Sequence, residues 1–168
     1  MCHNGRRSQD GEVTRGQVNL TARKRILNCY VFSVLKYGCE SWTLDKSLQK
    51  RITAFEHWCY RCMLKVSWKD KVKNTEVLSR MAEKEPRFYK NIARQKMAYA
   101  GHVLSGSSGL NALLIMEGKI SGVKARGGPR RDWTDDLKEW TQLRNYSELK
   151  RTAKDRTIWN ALALQPST

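Results

Sequence analysis

Nowhere in its 168 residues does this chain carry about 18 consecutive apolar residues, so no segment reads as a membrane-spanning helix. The first 20 residues are polar and lack the apolar stretch of a secretory signal. Acids are scarce: 16 Asp and Glu stand against 32 Lys and Arg, a net charge of +16. That imbalance is silent on fold. It predicts attraction to polyanions, nucleic acid ahead of an anionic membrane surface. No Ser/His/Asp set, phosphate-binding glycine loop, internal repeat or convincing strand is visible. The expected fold class is mainly α: an irregular helical bundle with a basic Gly-rich loop and no substantial sheet. The five cysteines are Cys2, Cys29, Cys39, Cys59 and Cys62. An odd count without a signal predicts free thiols in a reducing compartment, nucleus or cytoplasm, and a protein that is not secreted.

What is present divides the chain into four parts. Residues 1–19 lack periodicity and read as a disordered lead-in. Residues 20–104 carry helical patterning. Residues 105–131 read as a flexible basic linker, opened by Ser105-Gly106-Ser107-Ser108-Gly109 and holding a short helical stretch at Leu113 to Met116. Residues 132–168 form a C-terminal helical segment.

Thr21 is placed to cap a helix running to about Tyr37. Ile26, Leu27, Tyr30, Val31, Val34 and Leu35 cover most of its circumference, a pattern normally buried. Gly38 then suits a left-handed stop. A second helix spans about Asp45 to Val66. Its seam is Leu48, Ile52, Phe55, Cys59, Cys62 and Val66, widened by Trp58 and Met63. A short helix capped by Asn74 runs to Met81. Pro86 opens another, to about Leu104, with Ile92, Ala93, Met97, Ala100, Val103 and Leu104 inward. Trp133 to Leu143 is a short helix, and Ser147 caps a last one ending near Leu164.

Function concentrates in the cations. Between Pro86 and Arg131 stand nine basic residues against Glu117, half the net charge in about a quarter of the chain. Gly122, Gly127 and Gly128 allow close backbone approach, and arginine forks match phosphate oxygens. A disordered basic linker is the competing reading. Arg23, Lys24 and Arg25 crowd a helix start, the wrong end for cations in an isolated helix; they are either solvated or phosphate contacts. Of six tryptophans, most suit a core. Trp68, flanked by Lys65, Lys69 and Lys71, suits base stacking. The expected nucleic-acid set is therefore Arg23, Lys24, Arg25, Lys65, Lys69, Arg94, Lys96, Lys119, Lys124, Arg126, Arg130 and Arg131, with Trp68 as stacking residue.

Cys59 and Cys62 form a CxxC near His57, but it lies inside an apolar helical pattern without a second ligand pair, so a packing role is expected, with no metal. Asp135-Asp136 follows Gly-Pro at a helix start and reads, with Asp132, as first-turn acids favoured by the macrodipole. His102 reads as structural.

Several strings recur in order. They are Leu35-Lys36-Tyr37-Gly38-Cys39-Glu40-Ser41-Trp42, the stretch Phe55 to Leu64, Trp68 to Asn74, Gly101 to Leu104, Gly128 to Asp136, and Asp155 to Trp159. Together they resemble the carboxy-terminal, thumb and post-thumb region of non-LTR (LINE-type) retrotransposon reverse transcriptases. The resemblance covers roughly residues 19 to 164. Departures are the missing Arg between Gly128 and Pro129, and Cys62 where the family more often has Arg. The resemblance implies a fragment without the catalytic palm or endonuclease domain of an RNA-directed DNA polymerase. It implies no enzymatic activity of its own, no cofactor and no small-molecule substrate. The implied partner is RNA or a template-primer duplex, bound without sequence preference and away from any membrane. A helical protein-interaction module, or a non-functional translated remnant, is the alternative.

Overall fold

A computed structural model describes residues 19–117 and 131–164. The lead-in up to residue 18 and most of the basic glycine loop lie outside them. Nine α-helices and no strand are found among the described residues: α1 (Leu20–Ile26), α2 (Ser33–Lys36), α3 (Lys46–Leu64), α4 (Asn74–Arg80), α5 (Phe88–Leu104), α6 (Leu110–Met116), α7 (Trp133–Thr141), α8 (Tyr146–Lys154) and α9 (Arg156–Leu164). The fold is mainly α, as its patterning predicts.

The central element is α5. Every sequence-assigned inward residue of it is buried, and α3, α6, α8 and α9 pack against it, as does the 3-10 turn Cys39–Ser41. One core cluster runs from Leu27 to Ala163. The start of α5 is held across the fold: the Glu56 carboxylate on α3 accepts from Arg87 N and Phe88 N, both at 3.0 Å. Tyr60 donates its hydroxyl to the same carboxylate at 2.7 Å. A buried acid is costly unless hydrogen-bonded, and here it satisfies two of the amides a helix start leaves unpaired. Pro86 precedes this cap instead of forming the first turn.

The far end of α5 meets α9 by close approach. A Cβ on Gly101 would stand 2.5 Å from Trp159 Nε1. The absence of that atom lets the indole lie on the helix and donate to Met97 O at 2.8 Å.

Several boundaries differ from the sequence reading, each for a local reason. Asn19, not Thr21, caps α1, its side chain accepting from Ala22 N at 2.8 Å. Between α1 and α2 the backbone widens into a π-helical segment, Leu27–Phe32. Only its Leu27 and Phe32 side is buried, Phe32 stacking on Phe88 with centroids 4.4 Å apart. Tyr30, 74% exposed, and Val34, 71% exposed, correct the expectation of a helix buried all round. Gly38 does take the left-handed conformation, φ 69°. Asn74 does not cap α4; its side chain accepts from Arg61 Nη2 at 2.9 Å. The single terminal helix is two, broken at Asp155, whose carboxylate accepts from Thr157 N and Ile158 N to start α9. On α3 the buried face carries Ile52, Glu56, His57, Cys59 and Tyr60. Cys62 and Trp58, placed on the seam by the sequence, are exposed. A second four-residue row, Ile52–Glu56–Tyr60, supplies what they were expected to supply.

Candidate nucleic-acid interface

The residues 65–73 between α3 and α4 form a shaped, cationic projection. At the end of α3, Lys65 N donates to Cys62 O and Val66 N to Arg61 O, the paired closure of a Schellman turn. Glycine usually occupies its left-handed position; here Lys65 does, at φ 56°. Lys71 repeats this at φ 50°. Each such residue costs roughly 1–2 kcal/mol relative to ordinary backbone, and such outliers cluster at functional sites. Between them lies the 3-10 turn Trp68–Asp70, closed by a capping box. Ser67 N donates to Asp70 Oδ2 at 2.7 Å, and Lys69 N to Ser67 Oγ at 3.3 Å. The one acid of the loop is thus turned onto the backbone. Arg61 ties the base of the loop to the bundle, donating to Val72 O at 2.6 Å.

This leaves Lys65, Lys69, Lys71 and Lys73 exposed around Trp68, which is 81% exposed. Trp58 is also exposed, at 60%, but its ring packs on Phe55 with centroids 5.8 Å apart. Beside the loop an open groove of about 470 Å³ runs along α3, lined by Lys46, Lys50, His57 and Asn74 among others. Asn74 follows Lys73 directly, so groove and loop adjoin. Lys46 and Lys50 were missed by sequence reasoning. Their four-residue spacing, off the apolar seam, was the available signal.

The other expected cations are dispersed. Arg23 donates to Met63 O at 3.0 Å. Lys24 reaches Met81 O and pairs with Glu83 at 3.0 Å. Both therefore close the α1 side of the bundle, and the crowding at that helix start is offset by carbonyls and an acid of this same chain. Arg25 and Arg94 are exposed. Lys119, Lys124, Arg126 and Arg130, with Gly122, Gly127 and Gly128, lie outside the described residues.

Lys96 is a correction. It is fully buried, paired with Asp136 and donating to Trp42 O at 2.7 Å. Its ammonium lies 4.7 Å from the Trp133 ring centroid and 5.8 Å from that of Trp140. Burial holds the ammonium below the ordinary lysine range, against the opposing hydrogen bond and charge of Asp136. No phosphate reaches it. Arg131 is half-withdrawn: Nε pairs with Asp136 Oδ1 at 2.8 Å, and Nη2 with Glu139. Those bonds, Glu139 first, raise its pKa further.

Asp136 is accordingly more than a first-turn acid. It accepts from Leu44 N at 2.7 Å as well as from Lys96 and Arg131. Asp135 does act as expected: it completes a capping box with Asp132, and the Asp132 amide holds its carboxyl below the usual range. Cys59 is buried and Cys62 is not. His102 is exposed, and its carbonyl, accepting from Ser108 N at 3.2 Å, makes the structural contact. Among the described residues, no helix is long and apolar enough to cross a membrane.

No protein-family model matches the chain, and neither a curated protein nor a solved structure shows significant similarity to it.

Proposed function

We propose that this chain binds RNA or DNA without sequence preference and without catalysis, through phosphates held by the lysines of the 65–73 loop and an unpaired base stacked on Trp68. The observation that carries the reading is the exposed indole among four exposed lysines, on a loop fixed by its own capping box and by Arg61. Every base offers a π face, so stacking tolerates any sequence. Lysines recognise phosphate as point charges, which also carries no base readout. The net charge of +16 supplies long-range attraction. The ordered strings that resemble the thumb and post-thumb region of LINE-type reverse transcriptases point to the same ligand. Asp135 and Asp136, the only adjacent acids in the chain, are committed to a cap and to ion pairs, which supports a non-catalytic role.

Titrating labelled single-stranded oligonucleotide at several salt concentrations tests the reading. Replacing Lys65, Lys69, Lys71 and Lys73 together by Ala should flatten the log–log salt slope by about 3, at roughly 0.7 per phosphate for single strands. An unchanged slope would remove the loop from the interface.

One observation favours a second reading, a protein-interaction module. Ile26, Tyr30, Val34 and Tyr37 are exposed at helical spacing along α1, the π segment and the end of α2. A contiguous apolar row of this kind marks contact surfaces. A dimer in a sizing experiment, together with absent oligonucleotide binding, would favour it.

A further inference from the structure

A cleft of about 260 Å³ opens where the end of α5 meets the α8–α9 junction. Its floor is the Trp159 indole, seated over Gly101 and fixed by its bond to Met97 O. One wall is the turn after α5. There Ser105 Oγ donates to His102 O at 3.2 Å and lies 2.9 Å from Ser107 Oγ. The lining from the α8–α9 junction carries Lys154 and Arg156. Neither side chain makes a hydrogen bond or ion pair with any described residue. Among the described residues, no carboxylate lines the cleft. Asp155, between the two cations in sequence, turns its carboxylate onto Thr157 N and Ile158 N.

The geometry points to this cleft as a phosphate-binding subsite. Two cations without a partner among the described residues and the exposed His102 imidazole line the cleft beside the Trp159 floor, and no described acid is there to satisfy them. The two serine hydroxyls, each already donating within the turn, can only accept or rotate toward a ligand. The volume lies below the roughly 300–1,000 Å³ of ordinary small-molecule pockets. It suits a phosphoryl group rather than a whole cofactor. Resting on the proposed function, the phosphate is one of the bound nucleic acid, engaged at a second point away from the Trp68 loop.

Two measurements on the full chain test this. The first titrates inorganic phosphate and follows backbone amide resonances of Ser105, Ser107 and Asn160, which should shift and saturate. The second compares oligonucleotide binding by the wild type and by K154Q/R156Q, whose helical content is checked by circular dichroism. Both side chains are exposed and bond to no described residue, so the variant should fold. The salt slope should fall by about 1.4, two charges at about 0.7 each. Absent phosphate shifts, or an unchanged slope with oligonucleotide still bound, would overturn the subsite and leave the Trp68 interface standing. Saturable phosphate shifts in a chain that binds no oligonucleotide would support a phosphate site while overturning the nucleic-acid reading.

Discussion

Lys96 on α5 and Asp136 on α7 meet as an ion pair from which solvent is fully excluded, though 40 residues separate them in sequence. The pair is the centre of a buried polar cluster. Asp136 also holds Arg131 and Leu44 N, and Lys96 also holds Trp42 O. Beside it the Trp133 indole donates to Glu40 O, and Gln95 donates to the Glu40 carboxylate. The string from Leu35 to Trp42 is thus a tether that fastens one loop to α5 and α7.

Removing the acid should be worse than removing the base. Asp136→Ala strands a buried ammonium and the Leu44 amide, and should cost about 3–5 kcal/mol. Lys96→Met leaves Asp136 with Arg131 and Leu44 N, and should cost clearly less. Urea unfolding of both variants checks the order; equal losses would mean that Arg131 and Leu44 contribute nothing.

The two glycines with roles should fail differently. Gly101→Ala places a methyl carbon 2.5 Å from the Trp159 ring, so overpacking of roughly 1–3 kcal/mol is expected, with displacement of α9. Gly38→Ala meets no atom within 4 Å. Its cost, about 1–2 kcal/mol, comes from positive φ alone. Gly38→Asn should therefore recover part of the loss, since Asn tolerates that conformation. A Gly38→Asn no better than Gly38→Ala would place the cost elsewhere.

Stability should fall on the alkaline side. Burial pushes the Cys39 and Cys59 thiols from an ordinary 9.0 to about 11. The native state then keeps protons that the unfolded chain has released. Its thiol contribution is whole below pH 9 and is lost as pH rises through about 11. At 1.36 kcal/mol per unit, each thiol accounts for on the order of 2–3 kcal/mol. Burial raises Tyr60 and Tyr89 in the same direction. Lys96, lowered by burial, acts oppositely as one group. Urea midpoints should decline from pH 8 to 11, and less steeply in C39A/C59A. A flat profile in the wild type would contradict the assignment.

Thiol accessibility gives an independent reading of α3. Cys29 and Cys62 should react rapidly with a thiol reagent under native conditions, and Cys39 and Cys59 only on unfolding. Cys59→Ser should cost roughly 1–3 kcal/mol by burying a hydroxyl, whereas Cys62→Ser should be nearly neutral. Slow labelling at Cys62 would restore it to the packed seam.

Helices were legible wherever apolar residues alone define a face. The six inward residues assigned on α5 are all buried, and the extent of α3 is close to its sequence expectation. Polar residues standing on those same faces misled. Lys96 lies four residues after Ile92 and four before Ala100, and Glu56 lies between Ile52 and Tyr60. Period alone places both inside, but the charge of Lys96 argued for solvent and Glu56 had no assigned place in the core. Partners that neutralise them arrive from distant segments, Asp136 from α7 and the Arg87 and Phe88 amides from the start of α5, which no local pattern reveals. The candidate site was partly legible: Trp68 with its flanking lysines stood out by composition. The withdrawal of Arg23, Lys24 and Arg131 into internal pairs did not, because it depends on tertiary placement.

The central claim is that Trp68 stacks on a base, and Trp58 is its built-in control. Both indoles are exposed, at 81% and 60%, but only Trp68 stands among the loop lysines, whereas Trp58 packs on Phe55. The direct measurement is the affinity of W68A and W58A for one single-stranded oligonucleotide at fixed salt. Loss of a stacked base costs about 1–3 kcal/mol, so W68A should bind roughly 5- to 150-fold more weakly, while W58A binds as the wild type does. Equal affinity of W68A and the wild type, or an equal loss in both variants, would contradict the account.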